Sequence, residues 1–459
     1  MSQPARIAAI LAPELAWTGE RFEPGIEIEL RDDGRFGRVG RAGDRTAREA
    51  GPTSGASVQR LDRVALMPGF VNVHSHAFQR GLRGRGELFP AGAGSFWSWR
   101  EAMYDLVERL DAERIHAISL RCFREMLVAG ITAVGEFHYV HRGPDGRWRE
   151  LDEAVLRAAR DAGIRIVLLQ CAYRSGAIGR PLAGGQVRFD TASLAEYWER
   201  FDHLSLALDG RTQSMAPVAH SVRAVPWEEV VAMHEESRRR GLVFHMHVEE
   251  VIPEIADCLA AHGRRPMQMI VEDLRVDGRF TAVHCTHTDP RDMARFVAAG
   301  GTVAICPLTE GNLGDGVPAT PEVLAAGGRI AFGTDLNSRL CAPSRNYAAR
   351  YLQRLVRRER GALRDAGGSL VPRLVSIATV DGARSLGLDA GRIAEGALAD
   401  LVAIDLAHPT LEGWTPETLA ASLVFGAGNA VIAGVWVGGR PVSQGDGGDI
   451  SAARAGTAA

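Results

Sequence analysis

Two histidines one residue apart, His74 and His76, close the apolar run Gly69-Phe-Val-Asn-Val. Side chains two positions apart on a strand share a face, so both imidazoles can reach one ion. The same spacing recurs at His245 and His247, with a carboxylate three residues on, at Glu250. Another apolar run ends in His284-Cys-Thr-His287, and another in Gly333-Thr334-Asp335. Each pattern is weak alone, because a His or Asp at a strand end more often makes an ordinary structural hydrogen bond. Four such ends taken together point to a metal. Imidazoles plus one carboxylate, with no thiolate demanded, suit Zn2+ first, and the same set accepts Fe2+ or Mn2+.

Elements must exist to bring these ends to one place. Eight apolar runs, 64–73, 130–137, 163–171, 213–218, 241–248, 280–285, 301–306 and 329–334, read as strands buried on both faces of a parallel sheet. Helical spacing fills the intervals at 99–128, 151–162, 226–240, 290–299 and 346–360. Eight βα units imply an α/β fold, a (β/α)8 TIM-type barrel, whose active groups sit at the C-terminal ends of the strands. His76 and Asp335 lie 259 positions apart, which fits one barrel of about 250 residues. The flanks alternate apolar and polar residues instead. Residues 1–63 and 391–445 are expected to pair as one small β-sandwich beside a barrel of 64–390, with 446–459 a flexible tail.

Composition removes whole classes of function. With 459 residues, 46% hydrophobic and 24% charged, the chain is globular rather than disordered. No apolar run is long enough for a membrane span. A net charge of −3 argues against nucleic acid as a partner. The chain contains no lysine; all 53 basic residues are arginine. That rules out a Schiff-base or Walker lysine, and a carbamylated lysine bridging two metals. Six scattered cysteines form no C-x-x-C pair, and no signal-cleavage pattern stands out, so a reduced, cytoplasmic protein is expected.

The run Gly69-Phe-Val-Asn-Val-His-Ser-His, the segment His247-Val-Glu-Glu, His284, Asp335 and the stretch Gly391-Arg-Ile-Ala-Glu-Gly-Ala-Leu-Ala-Asp-Leu-Val-Ala-Ile-Asp405 together resemble the amidohydrolase superfamily. Lacking lysine, the chain looks like its mononuclear deaminase branch. The resemblance implies His74, His76, His247 and Asp335 as metal ligands, Glu250 as proton shuttle and His284 as a hydrogen-bond partner of water or substrate. A bound ion lowers the pKa of its water toward ~7, and the resulting hydroxide would attack a C=N carbon. Asp335 would take or orient the proton of that water. Glu250 would carry a proton to the leaving nitrogen, and His284 would steady the developing charge.

The stretches His74-Ser-His-Ala-Phe-Gln-Arg80, Phe96-Trp-Ser-Trp-Arg100, Glu136-Phe-His-Tyr139 and His220-Ser-Val-Arg-Ala-Val225 resemble, within that superfamily, the deiminases of N-formimino-L-glutamate. By that resemblance Gln79, Arg100, Tyr139, His220 and Arg223 would hold the glutamate part, since arginine forks bind carboxylates in a fixed plane. The implied partner is a small anionic substrate, the implied pathway is histidine degradation, and a homodimer is expected by analogy of fold. Alternatives stay open. Arg100 could be an ordinary helix-start charge. The loop Phe96–Trp99 could be a lid or plain capping hydrophobes. Asn312 and Leu313 could shape a pocket wall. The enzyme could deaminate a purine, S-adenosylhomocysteine or a triazine, and an inactive barrel scaffold is the non-enzyme reading.

Overall fold

The computed structural model describes residues 5–44, 57–86, 96–148, 150–364 and 368–442, with backbone alone at 96–98 and 342–348. The tail expected from 446 lies outside the described residues.

The N-terminal flank supplies β1 (Ile7–Trp17), β2 (Phe22–Glu23), β3 (Ile26–Arg31), β4 (Phe36–Arg41) and β5 (Val58–Pro68). Eight strands follow at the expected places: β6 (Phe70–Ser75), β7 (Ile131–His138), β8 (Arg165–Ala172), β9 (Gln213–Ala219), β10 (Phe244–Val248), β11 (Phe280–His284), β12 (Thr302–Ile305) and β13 (Arg329–Phe332). The C-terminal flank adds β14 (Leu401–Asp405), β15 (Ile432–Val437) and β16 (Arg440–Val442).

β6 to β9 and β10 to β13 pair in parallel, in chain order, as two four-stranded halves. Backbone bonds stitch the halves into a (β/α)8 barrel. At one seam His247 N–H donates to His220 O (3.0 Å). At the other, Thr334 and Asp335 N–H donate to His74 O (2.9 and 3.0 Å), and His76 N–H donates to Asp335 O (3.1 Å). Gly333 makes that seam possible, because a Cβ there would lie 2.8 Å from His74 Cβ and 2.6 Å from Cys306 Sγ. β7 and β8 are buried throughout, as continuous apolar runs require.

The apolar run 64–73 is two strands, not one. It divides at Gly69, where a side chain would collide with Thr132 (1.9 Å to Oγ1). Its first part, β5, joins β1 and β14 in the flanking sheet, ordered β16-β15-β14-β5-β1-β3-β4 with β2 on β1. Pleat alternation gives that sheet two apolar faces. Ala65, Met67, Val402, Ile404, Val435 and Val437 belong to the core shared with the barrel. Leu66, Leu401, Ala403 and Trp436 join Leu11, Ile28, Leu30 and Phe36 in a second core. Phe36 N–H donates to Ala397 O and Ala399 N–H to Gly34 O, so the sheet curls round to meet itself as the small sandwich.

The pattern 99–128 resolves into two helices, Phe96–Val107 and Ala112–Val128. The break falls at Asp111, whose side chain caps the second helix by accepting from Arg114 N–H (2.8 Å). All six cysteines are buried. Among the described residues no helix is long and apolar enough to cross a membrane.

One buried ion pair ties sandwich to barrel. Arg165, opening β8, donates to both oxygens of Asp400 (2.7 and 2.9 Å), and Asp400 also accepts from Gly438 N–H (2.7 Å). Removing one partner strands the other charge in the interior, at a cost of about 3–5 kcal/mol. Asp400→Ala is therefore expected to lower the thermal midpoint by several degrees, measured by calorimetry. An unchanged midpoint would mean that this pair does not hold the two cores together.

Candidate functional site

The ends of β6, β10, β11 and β13 meet on the barrel axis. His76 Nε2 lies 3.3 Å from Asp335 Oδ1, His74 Nε2 lies 4.0 Å from the same oxygen, and His74 and His247 Nε2 are 3.1 Å apart. Carbonyls fix which nitrogen faces inward. His76 Nδ1–H donates to Phe137 O (2.7 Å) and His247 Nδ1–H to His220 O (2.9 Å). Each ring therefore turns an Nε2 lone pair toward the centre.

Burial, reinforced by the neighbouring imidazoles, holds His74 and His247 well below the usual histidine range and brings His76 to about 3. Three neutral rings and a carboxylate thus aim electron pairs at one small volume. Lone pairs that close repel unless a cation lies between them. His74, His76 and Asp335, and His74, His247 and His284, each place ligand atoms within 4.8 Å of one another. The donor set fits one divalent metal ion.

Beside this centre lies His284. Its Nε2 is 3.6 Å from both Glu250 Oε1 and Asp335 Oδ2. Its Nδ1 is 3.4 Å from Glu310 Oε1, which also accepts from Cys306 N–H (2.8 Å). Burial alone would depress His284, but Glu250, Glu310 and Asp335 outweigh it and raise the ring to about 10. Burial raises Asp335 to about 7, against the opposing pull of His284; a divalent ion would reverse that shift. Of the paired glutamates after β10, Glu250 faces the site, while Glu249 turns away to accept from Met267 N–H (3.2 Å).

Arg223 donates to Glu250 Oε2 (3.2 Å), and its Nε stands 3.8 Å from Glu254 Oε1. Gln79 Nε2–H donates to Tyr139 OH (2.7 Å). His220 stacks obliquely on His247, with ring centroids 4.6 Å apart. Arg100, the fifth residue of helix Phe96–Val107, donates to Tyr104 OH and reaches Tyr173 OH. All of these residues except Glu254, with His76 and Asp335, line one cleft of about 780 Å3. The sequence expectation of a loop at Phe96–Trp99 is corrected, because these residues begin that helix. Trp99 lines the cleft.

Residues 65–442 match the amidohydrolase family. The chain belongs to that family. It is an enzyme, a hydrolase of carbon–nitrogen bonds. The formimidoylglutamate deiminase of Pseudomonas aeruginosa is 38% identical over 386 residues, covering 82% of this chain and 84% of that protein. A 5-methylthioadenosine/S-adenosylhomocysteine deaminase of Natronomonas pharaonis is 29% identical over 434 residues, covering 93% and 91%. Among solved structures, an amidohydrolase from Brucella melitensis superposes with a TM-score of 0.83 at 29% identity, covering 94% of each chain.

Several residues of this amidohydrolase's cleft carried no signal in the sequence. Tyr104, Tyr173, Phe189 and Met103 line the wall near Arg100. Nothing in their spacing separates them from core residues. Of the pair expected to shape the wall, Leu313 does so, while Asn312 donates to Ser338 outside the cleft. His245, two residues before His247, donates to Ser385 O (2.8 Å) and takes no part in the metal centre.

Glu310 is the most consequential of the residues the sequence reading missed. It lies in the short helix Pro307–Leu313 after β12 and orients His284. Glu310→Gln keeps the shape but weakens that hold. Supporting residues of this kind typically contribute 10–100-fold, so kcat should fall by about that factor with bound metal unchanged, checked by steady-state kinetics and metal analysis. Full kcat would remove Glu310 from the site.

Proposed function

We propose that this amidohydrolase deaminates N-formimino-L-glutamate hydrolytically, releasing ammonia and N-formyl-L-glutamate. One observation carries the choice of substrate. Two arginines, Arg100 and Arg223, line the same small cleft as the imidazole–carboxylate centre. A neutral purine offers nothing to two guanidinium forks, whereas a dicarboxylate answers both. The 38% identity to a formimidoylglutamate deiminase supports the same reading.

In this reading His74, His76, His247 and Asp335 would hold a single Zn2+, whose chemistry when bound would be to lower the pKa of water toward ~7. The residues of the chain do the rest. Arg100 and Arg223 bind the carboxylates and fix the C=N carbon over the centre. Gln79, Tyr139 and His220 bond the remaining polar atoms. Asp335 takes the proton released as water adds to that carbon. Glu250, which faces the same Nε2 of His284 as Asp335 does, delivers a proton to the nitrogen, so that the C–N bond breaks with ammonia leaving rather than amide anion. His284, charged and braced by Glu310, stabilises the negative charge that builds up as water adds.

Arg223 has a double task here. It pairs with Glu250 in the free cleft, and a substrate carboxylate would draw the guanidinium away and free Glu250 for proton transfer. The reading carries with it a cytoplasmic enzyme of histidine degradation working as a homodimer.

Ammonia release should be measured across N-formimino amino acids, adenosine and guanine derivatives, with and without added Zn2+. N-formimino-L-glutamate is expected to be the fastest substrate; faster turnover of S-adenosylhomocysteine would overturn the assignment. Arg223→Met removes a charged hydrogen bond of roughly 1.5–3 kcal/mol, so KM for the dicarboxylate should rise about 10- to 100-fold. An unchanged KM would place the carboxylate elsewhere. Glu250→Gln should retain one zinc per chain and lose about 10²–10⁴ in kcat.

A further inference from the structure

A second cluster of metal-ligating side chains lies outside the cleft. His138 ends β7, His141 follows three residues later, and Asp152 lies in the first turn of helix Leu151–Ala162. All three are almost wholly buried, His138 and His141 at 0% exposure. One ligand atom from each lies within 4.8 Å of the others. His141 Nε2–H donates to Cys171 O (2.8 Å), which leaves its Nδ1 facing the two oxygens of Asp152 at 3.1 and 3.2 Å. His138 Nε2 lies 4.0 Å from Asp152 Oδ1, and neither ring nitrogen of His138 makes a hydrogen bond.

A proton shared between His141 and Asp152 would satisfy that pair and leave His138 an idle imidazole in the interior. A cation at the junction employs all three donors. Two imidazoles and a carboxylate are the ligand types of zinc and its neighbours. Trp148 lies flat on His141, with centroids 4.6 Å apart and planes 11° apart, and so covers one side of the junction.

We propose that His138, His141 and Asp152 form a second site for a divalent transition metal, structural rather than catalytic. Its position gives it a purpose. It anchors the segment after β7 to the helix that follows. That segment contains Tyr139, which lines the cleft, and it adjoins Phe137, whose carbonyl orients His76. An ion here would hold the outer side of the strand end whose inner side supports the catalytic centre.

The test uses the full-length enzyme equilibrated with Zn2+ and then dialysed. Two zinc ions per chain are expected by elemental analysis. A crystal measured at the zinc absorption edge should show an anomalous peak among His138, His141 and Asp152, apart from the one among His74, His76, His247 and Asp335. His138→Ala should bind one zinc fewer, lose only the outer peak and melt at a lower temperature. One zinc per chain with no outer peak in the unaltered enzyme would overturn the proposal, as would two zincs persisting in His138→Ala. Should that variant not fold, the anomalous map of the unaltered protein decides alone.

Discussion

Four electron-pair donors converge where the barrel closes on itself, and the rest of the molecule is arranged round that convergence. The backbones of His74, His76 and Asp335 form one seam, and those of His220 and His247 form the other. The side chains of four of these five residues are the ones that turn donor atoms toward one another there. Backbone closure and metal geometry are therefore one constraint. The register that lets the first and last strands pair is also the register that puts His76 3.3 Å from Asp335. A slip of one residue would turn every one of these side chains to the opposite face of the sheet. The site is as rigid as the barrel because it is made from the barrel's own closing bonds.

Electrostatics divides the cleft into two ends. At the base, imidazoles surround a carboxylate, and His284 lies among Glu250, Glu310 and Asp335. Toward the mouth, Arg100 lies among tyrosine hydroxyls and Arg223 between two glutamates. Glu250 belongs to both ends, since one oxygen faces His284 and the other Arg223. The carboxylate of Glu250 is thus shared between an imidazole and a guanidinium. Any change at Arg223 therefore alters the surroundings of Glu250. The two ends of the cleft are linked through this one side chain.

How much of this was legible in the sequence follows from which rules act locally. The two H-x-H pairs were readable because strand side chains alternate with a period of two, yet the rule admitted His245, which lies on the same strand and bonds Ser385 O instead. Periodicity cannot tell how far along a strand the ion lies. The eight strands were readable as apolar runs. The cut at Gly69 was not, because what ends β5 and begins β6 is the approach of Thr132, some sixty positions away. Glu310 and Tyr173 escaped for the same reason. Their roles come from the partners that the fold brings to them, not from their neighbours in the chain. Asp400 lay inside a recognisable stretch, but only the structure reveals that Arg165 is its partner.

The polar residue inside the first apolar run, Asn72, has its explanation in backbone conformation. His284 and Asp335 leave their strands with φ of +72° and +49°, the left-handed region that residues with a Cβ rarely occupy. Such positions cost about 1–3 kcal/mol each and persist only where the surroundings over-determine them. At β13 the surroundings are a buried network. Asn72 donates to Thr334 Oγ1 (2.6 Å) and accepts from Thr334 N–H (3.0 Å), Thr334 donates on to Asn337 (2.6 Å), and Asn337 donates to Ser75 (3.1 Å). The amide of Asn72 thus spans from β6 to the end of β13 and holds the turn that swings Asp335 back toward the histidines. An apolar residue at that position would suit the strand but remove the side-chain bridge to Thr334 Oγ1, leaving Thr334 N–H only its bond to His74 O. The run Gly69-Phe-Val-Asn-Val-His-Ser-His therefore encodes two imidazoles of the site and, through its asparagine, the placement of the carboxylate 263 positions downstream of Asn72.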